Sequence, residues 1–221
     1  MVTTGIVGSS MPIANGLAWA AQLDGSKRVA VAYFGDGASN IGAFHEALNL
    51  AAVWKLPVVF VCQNNRYGEH TTYAKATAAK CIADRAVAYN IPGVQVDGND
   101  PAAMYAVAAE AVARARDGEG PTLIEAMTFR FHGHVMGDAD AYMDKAEKQA
   151  AIAADPYPRF RADLIARGIA DEAVLAKIEQ DVEGAIDDAV DFALAAPLPD
   201  VAELRRDVFA DPSIVPQESY A

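Results

Sequence analysis

Apolar residues fall along this chain in blocks, not in strict alternation with polar ones. Residues 29–34 ("VAVAYF") and 57–62 ("PVVFVC") are continuous apolar runs, the pattern of parallel strands covered on both faces. Between them Phe44, Ala47, Leu48, Ala51 and Ala52 recur at helical spacing, which predicts a helix over 41–54. Ahead of the first strand, 12–23 reads as a small-residue helix with Pro12 in its first turn. The alternation continues with a helix over 82–89, a strand at 94–96, a helix over 101–116 and a strand at 122–128. Asp100 before Pro101 supplies an N-cap followed by proline at the first helical position. The pattern predicts an α/β fold with a doubly wound parallel sheet.

After Phe131 the character changes. A Gly/His/Asp loop over 133–144, read as mobile, leads into charged, Ala-rich segments predicted helical at 144–154, 156–167 and 171–195. Two regions are expected: an α/β domain over 1–135, and a loop with a C-terminal helical region over 136–221. The acids between Asp171 and Asp191 read as a solvated helix face.

With 221 residues, 52% of them hydrophobic, the chain can bury a full core. A net charge of −12 argues against nonspecific contact with nucleic acid or anionic membrane, which needs clustered Lys and Arg. A phosphorylated ligand would have to be held locally, by backbone N–H groups and a cation. Cys62 and Cys81 form neither a CxxC nor a dense framework, so reduced thiols and a cytoplasmic setting are expected. Residues 1–23 carry no charge, but Gly5, Gly8, Pro12, Asn15 and Gly16 break the run and no basic segment precedes it. A buried loop and helix fit better than a membrane span. Entry into the core so near residue 1 leads us to expect that further chain normally precedes it.

The candidate chemistry lies at two strand ends. Gly35-Asp36-Gly37 follows the first buried run, at the carboxyl edge of a parallel sheet where ligands bind. A dinucleotide loop would need a third glycine where Asn40 stands and an acid about 20 residues on, and neither is present. No G-K-[ST] of a Walker A loop occurs. Asn64-Asn65-Arg66-Tyr67 ends the next strand, one helical crossover away, so neighbouring strands would set the two turns side by side. An acid and an amide there supply hard oxygen ligands of the kind Mg²⁺ takes beside phosphate oxygens. Each turn alone reads as an ordinary connection, and their joint placement points to a metal-phosphate clamp. His132-x-His134 lacks a third ligand for a transition metal, His45 and Glu46 read as satisfied polar groups on a helix, and His70 stays open.

The spacing of Gly35-Asp36-Gly37 and Asn64-Asn65 matches the GDG...NN motif of thiamine diphosphate enzymes. With "GIVG" (5–8), "GDGASNIGAFHEALNLAAVWKLP" (35–57), "NNRYG" (64–68), "IPGVQVDGND" (91–100) and "FRFHGH" (129–134), the chain resembles the α subunit of the 2-oxo acid dehydrogenase E1 component. That group comprises pyruvate, branched-chain 2-oxo acid and acetoin dehydrogenases. The resemblance runs from about Gly5 to Phe209 and implies the thiamine diphosphate-binding type of α/β fold.

It also implies that Asp36, Asn65 and the Tyr67 carbonyl coordinate Mg²⁺, with Gly35 in the same motif. Gly37 and Ala38 would meet the diphosphate through main-chain N–H groups, and Gly5 and Val7 the aminopyrimidine. His134 would assist substrate or lipoyl chemistry, with His132 and Arg130 beside it. The implied partners are an E1 β subunit in an α₂β₂ assembly, which supplies the catalytic glutamate, a lipoyl E2 protein, and a small 2-oxo acid or acetoin. Alternatives are half of a split decarboxylase or transketolase-like enzyme, or a non-catalytic scaffold subunit.

Three departures from the family pattern stand out. Val135 replaces the serine of regulated members, so phosphorylation there is impossible. Met143 stands where the family often has arginine, so an arginine contact in the loop is expected to be missing. The family's N-terminal portion, with a Tyr-Arg pair that grips the cofactor, is absent from this sequence.

Overall fold

The computed structural model describes residues 2–201 together with 203 and 206. Four parallel strands form the sheet: β1 (Ala30–Gly35), β2 (Val58–Asn64), β5 (Gly93–Asp97) and β6 (Thr122–Met127), in the spatial order β1-β2-β6-β5. Helix α1 (Ser10–Leu23) precedes β1, α2 (Gly42–Trp54) links β1 to β2, and α4 (Pro101–Arg116) links β5 to β6. The step from β1 to β2 and the step from β5 to β6 run in opposite directions across the sheet. Right-handed crossovers then place α2 and α4 on opposite faces, which is the doubly wound arrangement expected. The direction reverses between β2 and β6, and that reversal is the crevice where such sheets bind ligands.

The central strand shows why its apolar run is continuous. Val58, Phe60 and Cys62 of β2 join a cluster with Met11, Phe34, Phe44 and Leu48, while Val59 and Val61 join Ala111 and Ile124 on the other face. Successive side chains point to opposite faces, so a strand covered on both sides needs an apolar residue at every position. Phe34 and Phe44 meet edge to face, with ring centroids 5.8 Å apart.

Full coverage does not extend to β1. Val31 and Tyr33 are 43% and 63% exposed, because α4 packs on β2, β5 and β6 and does not reach the edge strand. The helix expected over 82–89 is present and takes the 3₁₀ form (Ala83–Tyr89). That segment is pinned at its start by the bond from the Ala83 N–H to Glu125 and closes on Asn90 at φ 54°. The greater rise per residue of the 3₁₀ form stretches seven residues across that span.

Elements too short for periodicity escaped the sequence: the hairpin β3 (Tyr67–Gly68) and β4 (Thr71–Thr72), and one turn of helix α3 (Tyr73–Ala76). Asp100 caps α4 as expected, its Oδ1 accepting from the N–H groups of Ala102 and Ala103 at 2.9 and 3.1 Å. Later helices are α5 (Lys145–Ala153), α6 (Pro156–Ala166) and α7 (Glu172–Ala195). The chain divides into compact units Met1–Ala162 and Asp163–Ala221. In the second, α7 carries its acids on a solvated surface, with Asp171 capping Val174 N at 2.8 Å. The part of the expected C-terminal region beyond 201, apart from 203 and 206, lies outside the described residues, as does the end of the family resemblance at Phe209. Both cysteines are free, and no described helix is long and apolar enough to cross a membrane.

Candidate functional site

β1 and β2 are neighbours in register, with Gly35 opposite Gln63, so the two turns leave the same sheet edge side by side. The first turn is wound tightly by its own groups. The Asp36 carbonyl accepts from Ser39 N at 3.1 Å and Ser39 Oγ at 2.8 Å, starting the 3₁₀ turn Gly37–Asn40. Asn40 fills the place of the absent third glycine, and its amide donates to Thr77 Oγ1 (3.0 Å) and Ala76 O (3.2 Å), tying down the loop after α3. Arg85 reaches the same turn, donating to Ser39 O and to Asn40 Oδ1.

Asp36 itself is 3% exposed and has no Lys, Arg or His ion pair among the described residues. Burial pushes its carboxyl up from the usual range, against its own backbone N–H, the Arg130 charge and the Asn65 N–H, which favour the ionised form. A buried carboxylate left without a cation is costly, and a cation placed beside it would offset that cost.

The second turn is built from two asparagine caps. Asn64 Oδ1 accepts from Arg66 N and Asn65 Oδ1 accepts from Tyr67 N, both at 3.0 Å. Between them Arg66 takes φ 71°. The hairpin that follows lays Gly68 against Gly37: a Cβ on either would stand 3.2 Å from the other's Cα, so both positions need glycine for this close approach. Asn64 is fully buried, its NH₂ donating to Glu125 and its Oδ1 accepting from Arg66 N, whereas Asn65 is only half-buried.

Tyr67 connects this turn to the loop after β6. Its ring meets Phe129 and Tyr142 edge to face at 6.1 and 5.9 Å, and the Arg130 guanidinium lies 5.9 Å from its centroid. Its hydroxyl donates to Glu147 Oε2 at 3.2 Å, while Glu147 Oε1 pairs with Arg66 at 2.8 Å. Residue 143 is methionine and makes no arginine contact, and the loop is reached from outside by Arg130. That side chain donates to His132 O (3.1 Å), Glu69 O (2.7 Å), Tyr142 Oη (2.8 Å) and His134 Nδ1 (3.3 Å). Met143 is buried instead.

Asp138 holds the loop from inside. Its carboxylate accepts from Tyr142 Oη and His134 N, both at 2.7 Å, and from Asp140 N at 2.9 Å, with His70 Nε2 at 3.5 Å. These bonds, the tyrosine hydroxyl first, hold the carboxyl well below its usual range, at about 2. The open question of His70 is thus answered by its place in this cluster, where its ring also lies 4.8 Å from that of Tyr142. His45 bonds Tyr89 Oη at 2.5 Å, as a satisfied polar group would.

The structure brings Asp36, Gly37, Asn65, Tyr67, Arg130, His132 and His134 into one connected set of contacts. Gly5, Val7, Gly35 and Ala38 share a cavity of about 730 Å³ beside β1. A second cavity, about 380 Å³, lies behind the Asn64–Tyr67 turn and is lined by Arg66, Gln95, Glu125 and Glu147. The sequence reading missed Glu125, Asp138, Tyr142 and Glu147. Only Glu125 announced itself, as a charge inside the apolar run "TLIEAM". Among the described residues no three His, Cys, Asp or Glu side chains cluster as a metal site, so any cation here must rely on mixed oxygen donors.

The chain is 49% identical over 93% of its length to the α subunit of acetoin:2,6-dichlorophenolindophenol oxidoreductase from Bacillus subtilis, covering 61% of that protein. It is 42% identical to the pyruvate dehydrogenase E1 component α subunit of Rhizobium meliloti, over 92% of this chain and 59% of the relative. The Cupriavidus necator acetoin:2,6-dichlorophenolindophenol oxidoreductase α subunit is likewise 42% identical, over 95% and 63%. The chain therefore spans about 60% of the length of these relatives. The family model described as dehydrogenase E1 component matches residues 1–202, and the chain belongs to that family.

Proposed function

We propose that this chain is the α-type half of a thiamine diphosphate site in an E1 component acting on a 2-oxo acid or acetoin. The observation that carries the reading is Asp36: a buried carboxylate without an ion pair among the described residues, at a strand end beside the Asn65–Tyr67 turn and bonded by the Asn65 N–H. Carboxylate, amide and carbonyl oxygens are the donors Mg²⁺ prefers, and Mg²⁺ leaves room for substrate phosphate oxygens. The residues present therefore fit the cation. Open space at Gly5 and Gly35, where an added Cβ would meet nothing within 4 Å, and the neighbouring cavity fit an organic cofactor.

Within this reading Asp36, Asn65 Oδ1 and the Tyr67 carbonyl hold Mg²⁺. Asn65 Oδ1 already accepts from Tyr67 N, and its second lone pair remains for the cation. The N–H groups of Gly37 and Ala38 face the diphosphate, whose charge an acidic protein could not otherwise hold. Val7, which lines the same cavity, would pack against the cofactor ring. Thiamine diphosphate, when bound there, would supply the carbon nucleophile of the reaction.

Arg130 sets the state of His134. A guanidinium only donates, so His134 Nδ1 must accept, and in the neutral ring the proton sits on Nε2. His134 thereby offers an N–H donor to a developing negative charge on substrate or on a lipoyl arm, with His132 on the same loop. The catalytic glutamate belongs to a β-type subunit, so we expect no activity without that partner. An α₂β₂ assembly, a lipoyl E2 acceptor and a cytoplasmic setting complete the proposal.

The test is calorimetry of thiamine diphosphate binding with and without Mg²⁺, on the wild-type chain and on Asp36→Ala, alone and with a β-type partner. The expected result is binding that requires both Mg²⁺ and Asp36. Binding indifferent to both overturns the proposal.

A further inference from the structure

Glu125 is a carboxylate in the centre of a buried strand. It is fully buried in β6, and among the described residues no Lys, Arg or His forms an ion pair with it. Three donors converge on it instead. Asn64 Nδ2 stands 2.7 Å from Oε1, and Ala83 N and Gln95 Nε2 stand 3.1 and 3.2 Å from Oε2.

Because both carboxyl oxygens face donors, Glu125 dictates which way the Asn64 amide lies. The NH₂ turns to Glu125, and Oδ1 is left for the Arg66 N–H at 3.0 Å. That bond closes the turn in which Arg66 adopts a left-handed φ of 71°, a conformation that a side chain bearing a Cβ takes only when its surroundings impose it. Arg66 stands between Asn65 and Tyr67.

We propose that Glu125 is a positioning residue for the cation clamp: through Asn64 it fixes the Arg66 turn, and so aims Asn65 Oδ1 and the Tyr67 carbonyl. This inference rests on the clamp reading above. The relay runs from the centre of the sheet to the site edge across 61 residues of sequence, at the reversal point between β2 and β6.

The relay has a polarity, and polarity can be reversed. In Glu125→Gln one oxygen becomes an NH₂. Facing Ala83 and Gln95, it would set donors against donors. Facing Asn64, it would force that amide to flip and present its NH₂ to the Arg66 N–H. Adding Asn64→Asp restores every bond, because the new carboxylate accepts from both the glutamine NH₂ and Arg66 N. The formal charge is moved and not changed.

The full 221-residue chain is titrated with thiamine diphosphate and Mg²⁺ by calorimetry, and exchange of the Arg66 amide is followed without either ligand. Glu125→Gln is expected to weaken Mg²⁺-dependent binding by about 10- to 100-fold and to speed Arg66 exchange. The paired variant is expected to return both to within about threefold of wild type. If Glu125→Gln binds as wild type, the inference is overturned. It is equally overturned if the paired variant stays as weak as the single one while Asp36→Ala abolishes the Mg²⁺ requirement. Should Glu125→Gln fail to fold, the paired variant is read alone: Arg66 exchange and Mg²⁺-dependent binding within about threefold of wild type support the relay, and a folded pair with fast Arg66 exchange or weak Mg²⁺-dependent binding overturns it. Loss of the clamp reading shows separately, as an Asp36→Ala variant that binds unchanged.

Discussion

The turns after β1 and β2 are centred on buried groups of the α/β core, whereas the loop after β6 is held by side chains that remain partly in water. Asp36, Ser39 and Asn64 are almost wholly inaccessible, and the Ser39 and Asn64 side chains bond backbone or the buried Glu125, with the half-buried Arg85 also reaching Ser39. In the loop His132 and His134 are exposed, and its bonds converge on two side chains, Arg130 and Asp138. A cation site needs oxygens held at fixed separations, which rigid strand ends provide. A group that meets substrate from another component must be reachable, and an exposed loop with a few strong internal bonds allows that.

The comparison breaks most completely at Asp36. Asp36→Asn should cost Mg²⁺-dependent cofactor binding at least roughly 100-fold by calorimetry. The same substitution should raise the melting temperature of the ligand-free chain, by about 0.5–2 kcal/mol in stability, because it removes a buried charge the fold disfavours. A fall in ligand-free stability would show that the carboxylate is satisfied without a cation.

Gly133→Ala tests the loop. An added Cβ would fall on the Asp138 carbonyl oxygen and within 2.6 Å of the Asp138 Cβ. We expect about 1–3 kcal/mol less local stability, read as faster exchange of the His134 amide, with the global melting temperature almost unchanged. Tyr142→Phe is gentler. It removes one donor to Asp138 and one acceptor for Arg130, and should loosen the same amide by about 0.5–1.5 kcal/mol.

The smallest effect is expected of pH near neutrality. The Asp138 carboxyl is lowered to about 2 in the fold, so its contribution is complete above the unfolded carboxylate range. It should be lost only as pH falls from about 4 toward about 2. Loop protection that changes between pH 8 and pH 5 would assign control to another group.

Legibility followed the range of the interactions. The continuous runs of β2 and β6, the helical spacing of α2 and the Asp100-Pro101 cap are local patterns, and each appeared where expected. The hairpin at Tyr67–Thr72 is too short to show a period. The open face of β1 depends on where α4 happens to cross, which its own apolar residues do not record.

The sequence by itself determined the alternation of strands and helices, the Gly35-Asp36-Gly37 turn at a strand end and a second polar turn one crossover later. These follow from burial and backbone freedom within a few residues. Only the tertiary structure decided that Gly68 presses on Gly37, that Arg130 reaches the ring of His134, and that the Asn64 NH₂ turns inward to Glu125. Each of those depends on a hydrogen bond or close contact whose partner the sheet supplies from another part of the chain.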